Sequence, residues 1–182
     1  MLDFSTFPAL LEPDDLPNID VDADDLTEVC NDIRIACGWH IAPRVEALPM
    51  VVNANGGTVL TVPSLKINEP LLVVDSAGRS IVDYTWSDNG ILEGNWPAGL
   101  RSVTVTADSG FGECPPSIKA VIKDMLRDRV NASSGGGIAQ VRLDDADVVY
   151  ANPYAPRSGA VDVGVRRDLM AAYGHVLSRY SL

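Results

Sequence analysis

The sequence predicts an α+β protein, with α-helices packed beside a small antiparallel β-meander and with extended N- and C-terminal arms. Three observations carry this. Apolar residues recur at helical spacing near 24–37, 117–130 and 165–180. Between the first two, residues 48–106 hold short Val-, Thr-, Leu- and Ile-rich runs separated by turn residues. Acid-, Pro- or Gly-rich stretches interrupt both ends of the chain. The expected organisation is an acidic arm over 1–22, a core over 23–135, and an extended arm with a terminal helix over 136–182.

The acidic arm follows from charge. Of 25 acids in the chain, ten lie in residues 1–32, which contain no Lys or Arg. With Pro8, Pro13 and Pro17 in the same stretch, like charges should repel and resist regular structure. The first helix runs from about Asp24 to Cys37. Leu26, Val29, Cys30, Ile33 and Cys37 form its stripe, Asp25 and Glu28 resemble a capping box, and Gly38 is placed to stop it.

The strand region follows. Met50–Val52 and Val59–Val62 flank Asn55-Gly56-Gly57, a strong hairpin signal. Leu71–Val74 and Ile81–Tyr84 flank Ser76-Ala77-Gly78, which reads as a second hairpin. Ser87-Asp88-Asn89-Gly90 is a further turn, and Ser102–Thr106 alternates as a strand does. Pro115-Pro116 opens a helix over about Ser117–Val130, with Ile118, Val121, Ile122, Met125 and Leu126 on one face. Gly135–Gly137 reads as a flexible joint, 138–149 as one or two poorly buried strands, and 150–160 as a loose connection. The last helix, about Val165–Tyr180, carries an apolar stripe of Leu169, Ala172, Tyr173, Val176, Leu177 and Tyr180.

Composition excludes several function classes. Hydrophobic residues at 46% with 21% charged describe a globular chain and not a disordered one. A net charge of -11 argues against a protein whose main task is gripping nucleic acid phosphates. Three cysteines, an odd number, give no disulfide framework and suit a reducing compartment. With no apolar run near 18 residues and no basic, apolar leader, the sequence predicts a soluble intracellular product.

No chemical constellation rises above background. Cys30, Cys37 and His40 resemble a metal-ligand cluster, but a helix stripe already accounts for the two cysteines, and only Cys114 and His175 remain as further ligands. Asp20-x-Asp22-x-Asp24 copies the start of a calcium loop, yet Asp25 and Asn31 stand where that loop needs Gly and Glu. No Gly-Lys-Ser/Thr follows the glycine run, and no Gly-x-Ser-x-Gly elbow is present. The expectation is a non-enzymatic protein with no metal and no cofactor. Arms with apolar ends suit an assembly component, because each arm is buried only by docking on a neighbour.

The order of motifs resembles a family. A helix ends in Cys37-Gly-Trp-His40-Ile-Ala-Pro43. Val59-Leu-Thr-Val-Pro-Ser-Leu65 and Leu71-Leu-Val-Val-Asp-Ser-Ala-Gly78 follow, then Tyr84-Thr-Trp86, Gly90-Ile-Leu-Glu93 and Asn95-Trp96-Pro97. Val103-Thr-Val-Thr106, Ser109-Gly110-Phe111 and Cys114-Pro-Pro-Ser-Ile-Lys119 complete the series, and Leu177-Ser-Arg-Tyr180 returns at the end. Over about 24–130 this resembles the head-to-tail adaptor (head–tail connector) proteins of long-tailed bacteriophages. Ala107 departs from the pattern, which usually has an aromatic there.

The resemblance implies a structural virion protein without reaction or cofactor. A dodecameric ring of copies would join the portal to the stopper or tail-completion protein, and DNA would pass through its channel without specific binding. No membrane is involved. Portal docking is expected from the C-terminal arm through Arg166, Arg167, Leu169, Tyr173, Val176, Leu177 and Tyr180. Lys119, Lys123, Arg127 and Arg129 form the one compact basic set, expected to face the channel. The alternative is a β-rich carbohydrate- or protein-binding module using Trp39, Trp86 and Trp96 as stacking surfaces.

Overall fold

The computed structural model describes residues 4–17, 19, 21–133, 140–143, 146–149 and 162–182. Helix α1 spans Ala23–Cys37. Its capping residue is Asp22, whose carboxylate accepts the Asp24 N–H at 3.2 Å, and not the expected Asp25/Glu28 pair. Gly38 ends it in the left-handed region at φ 85°, where its N–H donates to the Arg34 carbonyl at 2.7 Å.

Six strands follow: β1 (Val45–Asn55), β2 (Val59–Thr61), β3 (Ile67–Asp75), β4 (Tyr84–Trp86), β5 (Ile91–Gly94) and β6 (Ala98–Ser109). They form two antiparallel three-stranded sheets, ordered β1-β6-β3 and β2-β5-β4. Helix α2 (Pro116–Ser133), the paired strands β7 (Gln140–Leu143) and β8 (Ala146–Val149), and helix α3 (Asp162–Leu177) complete the chain. The α+β class is as the periodicities predict. The expected joint at Gly135–Gly137 and connection at 150–160 lie outside the described residues.

Pairing departs from the two expected hairpins. Asn55-Gly56-Gly57 does not fold β1 onto β2. Eleven-residue β1 pairs with twelve-residue β6, which aligns Met50 with Val105 and Val52 with Val103 on one inward face. The Gly-rich turn instead steps between sheets. The Trp96 backbone N–H donates to the Gly57 carbonyl at 3.3 Å and its indole to the Thr58 carbonyl at 3.2 Å, which draws β2 toward β5. The second turn does reverse, with Ile81 N–H donating to the Val73 carbonyl, but only Val74 bridges Ser80 before the chain leaves for the other sheet. The outer edge of β3 is thus met at Ile67, Val73 and Asp75 by Asp88, Ile81 and Arg79, and among the described residues no further strand pairs along Glu69–Leu71.

Two cores result. The inner face of the first sheet (Met50, Val52, Ile67, Val73, Val103, Val105) packs on Leu60, Val62, Leu92 and Trp96 of the second sheet and its flanks. Ala107, at the position where an aromatic was expected, is fully buried in this core. The second core is helical: Val29, Ile33 and Cys37 of α1 meet Ile118, Ile122 and Met125 of α2 and Leu169 and Leu177 of α3.

Among the described residues, both ends pack on the helical core. Leu10, Leu11 and Leu16 bury into the helical core, and Phe7 stacks on His40 with ring centroids 5.2 Å apart. Repulsion among the acids is overridden because these leucines alternate with them and have apolar surface to cover. At the other end, α3 lies along α1. The Leu182 N–H donates to the Cys37 carbonyl at 3.0 Å, and the Trp39 indole donates to the Tyr180 carbonyl at 2.6 Å. The expectation that the last helix need not pack on its own chain is thus corrected. Leu169 and Leu177 of its stripe are buried within the same chain, Tyr173, Val176 and Tyr180 are half-buried, and Ala172 stays exposed.

Candidate assembly surfaces

The outer face of the first sheet carries no charge across two full rows. Pro49, Thr106 and Leu72 form one row; Val51, Thr104 and Val74 form the next. All six are exposed or half-buried. Strand alternation requires this arrangement, since their neighbours Met50, Val105 and Val73 face the core. The face is closed at one end by the Arg44–Asp108 ion pair at 2.5 Å, where Asp108 also accepts the Ala47 N–H at 3.0 Å. The Arg44 hydrogen bond, followed by that N–H, holds the Asp108 carboxyl below its usual range.

Beside the outer edge of β3 lies a groove of about 430 Å³. Glu69, Leu71, Leu72, Val82, Tyr84 and Trp86 are among its lining residues. Val82 is 84% exposed and Trp86 is 40% exposed. At the far end of the same sheet, three β6 residues, Leu100 to Ser102, oppose the single β1 residue Asn53. This bulge leaves Leu100 86% exposed and puts Arg101 at φ 50°. It is pinned from both sides. The Asn53 side chain accepts the Arg101 N–H at 2.7 Å, and the Ser102 hydroxyl donates to the Pro97 carbonyl at 3.1 Å while accepting the Ala54 N–H at 3.3 Å. Sequence reasoning passed over Leu100 and Arg101; Gly99 just before an apolar residue in a broken alternation is the signal that marks a bulge.

The expected docking residues are divided by the fold. Leu169 and Leu177 are buried, and Tyr173, Val176 and Tyr180 pack partly against the helical core. The Tyr180 hydroxyl also meets the Ser117 hydroxyl at 3.0 Å. Arg166 and Arg167 are exposed on α3. Arg166 donates to the Leu182 carbonyl at 3.3 Å, and Arg167 lies 3.9 Å from Asp168.

The basic set on α2 is largely matched by acids. Lys119 reaches Asp15 at 3.4 Å and Arg127 reaches Asp124 at 3.4 Å. Arg129 lies 3.3, 2.7 and 3.6 Å from Asp25, Glu28 and Asp32. Lys123 adds to the positive field at Asp15. Four of the ten acids in residues 1–32 are thus folded back onto bases of α2.

The remaining chemistry-bearing side chains are built into the interior. Cys30, Cys37 and Cys114 are free and buried, and burial pushes the Cys37 and Cys114 thiols up to about 12. Among the described residues no group of three or more His, Cys, Asp or Glu is arranged to hold a metal ion. Trp39 and Trp96 are buried, which leaves Trp86 as the exposed member of the three. Arg34 is fully buried and donates to the carbonyls of His40 (2.9 Å), Ala42 (2.8 Å) and Pro8 (2.5 Å), with its guanidinium 5.6 Å from the Phe7 ring centroid. His40 Nε2 meets the Ser109 carbonyl at 3.0 Å, while its buried Nδ1 has no partner among the described residues. Burial, with Arg34 adding to it, lowers the His40 pKa to about 4 despite that hydrogen bond.

In comparisons with known proteins, no protein-family model matches the chain, and no curated protein matches it.

Proposed function

We propose that the chain is a structural virion subunit: one copy in a dodecameric adaptor ring between the portal and the stopper or tail-completion protein of a tailed phage, with DNA passing through the channel. The observation that carries this reading is the uncharged outer face formed by Pro49, Val51, Leu72, Val74, Thr104 and Thr106, in a sheet whose outer strands β1 and β3 have no further strand in the sheet among the described residues. An exposed apolar sheet face with unpaired edges is an association surface on physical grounds, and proteins that remain single normally blunt it with charge. The motif order over 24–130 supplies the family. Titratable side chains spent on packing, with His40 and the three thiols all buried, support a geometric role in place of a catalytic one.

Portal docking falls to Arg166, Arg167 and the open sheet surfaces, since the stripe of α3 is committed to α1. The test is native mass spectrometry of the protein mixed with the portal of the same phage. The expected result is a stoichiometric complex carrying one adaptor copy per portal subunit or per ring position; a portal that remains bare at saturating protein contradicts it. Exposed Trp86 beside Tyr84 favours one second reading, a glycan-binding groove. Quenching of tryptophan fluorescence by oligosaccharides would support that reading against the first.

A further inference from the structure

We propose that the Leu100–Arg101 bulge of one copy seats in the β3–β4 groove of a second copy. The inference rests on the self-assembly reading above and names the contact that performs it. The bulge is already shaped for insertion. Leu100 is almost wholly exposed, and Arg101 is held at positive φ, a conformation a non-glycine residue keeps only when its surroundings enforce it. Asn53 and Ser102 do the enforcing through the bonds described above. A pinned knob loses little freedom on docking, which favours association over burial of a mobile side chain.

The groove matches the knob in chemistry. Leu71, Leu72, Val82 and Trp86 offer apolar surface to Leu100, and the exposed Glu69 carboxylate stands among the lining residues. Arg101 is exposed and has no carboxylate partner among the described residues. The groove rim is acidic again at Asp83 and Glu93, which line the adjoining depression. Charge and shape therefore point the same way.

The groove cannot be filled by its own chain's bulge. Through the registers Val52↔Val103↔Asp75 and Leu72↔Thr106, the bulge lies some four residues along the strands and two strands across from Val82, roughly 15 Å in a rigid sheet. Because knob and groove are different surfaces, each copy retains a free knob and a free groove after one contact forms. The contact is heterologous, so it propagates from copy to copy and forms a ring where the rotation between copies closes.

Cysteine pairing tests this directly, because the three native thiols are buried and silent. Leu100→Cys and Val82→Cys variants are prepared separately, checked for wild-type melting temperature, mixed at high concentration and treated with a short bismaleimide. Cross-linked dimers should form in the mixture, and a ladder of higher oligomers should form when both substitutions are in one chain. An absence of cross-links, a link between two Val82→Cys chains alone, or an intramolecular link overturns the proposal. Arg101→Glu should weaken association roughly tenfold, and Glu69→Arg in the partner copy should restore it; failure of the exchanged pair to associate also overturns it. Portal binding is scored separately. A ladder without portal binding removes the adaptor reading and leaves this contact standing, whereas portal binding without the ladder removes the contact alone.

Discussion

Arg34 ties three segments together at a single buried guanidinium: the N-terminal stretch at Pro8, the end of α1, and the 40–42 turn. Among the described residues it forms no ion pair, and its charge is held by carbonyl dipoles, the Asn31 side-chain oxygen at 3.4 Å and the face of Phe7. Arg34→Met should cost about 3 kcal/mol, because three carbonyls lose their donor in the interior. Arg34→Lys should recover only part of this, since one ammonium cannot reproduce the fork. Urea denaturation of the three proteins measures both. Next to it, His40 sets an acid limb. An unfolded histidine takes its proton near 6.5 and the buried one near 4, so the unfolded chain binds more protons between those values. Stability is full above pH 6.5 and falls by about 3 kcal/mol as pH drops through that window. Asp32 acts with the opposite sign. Burial, reinforced by Glu28 and opposed by Arg129, raises its pKa to about 6 from 3.8, so its proton uptake stabilises the fold as pH falls from 6. Asp32→Asn should therefore steepen the loss of melting temperature between pH 6 and 4 relative to wild type; an unchanged slope contradicts the account. Cys37 and Cys114 should resist thiol reagents at pH 8 until the chain is unfolded, a contrast read by colorimetric titration with and without denaturant.

At the scale of elements, the helices were legible in sequence and the pairings were not. Leu26, Val29, Cys30, Ile33 and Cys37 all lie in the helical core, because 3.6-residue spacing is a local property of the chain. Strand existence was local too, as the buried alternation of Met50 and Val52 shows. Pairing is a contest between distant strands, and β6 wins β1 through length and through the Val103 and Val105 it sets opposite Val52 and Met50. The placement of α3 was invisible for the same reason: an apolar stripe states that it needs cover but does not state whose. Here α1, Trp39 and Phe111 supply it. Leu177→Ala should then cost about 2–4 kcal/mol, as for other fully buried leucines. Removing residues 165–182 should give an aggregated or molten product, visible by light scattering and near-UV circular dichroism; a folded, soluble truncated chain would contradict this packing.

Across the whole molecule, the charge arithmetic acquires a geometry. Part of the acid-rich stretch 1–32 is folded onto α2, where Asp15, Asp25, Glu28 and Asp32 engage Lys119 and Arg129. That leaves little unmatched basic surface on α2, in a chain whose net charge is -11. The isolated protein should show no salt-sensitive binding to duplex DNA at submicromolar concentration in a fluorescence-polarisation titration, and such binding would contradict passage without adhesion. Of the candidate surfaces, the basic set and the α3 stripe were readable as patterns, yet the fold spends most of both internally. The open face of the first sheet and the Leu100 bulge became visible only once β6 was known to lie between β1 and β3. The central claim is that these surfaces assemble copies into a ring on the portal. Negative-stain electron microscopy of purified portal incubated with the protein tests it most directly. The account predicts end-on views with a closed ring coaxial with the portal, lost with Leu100→Asp. Portals indistinguishable from those imaged alone would contradict it.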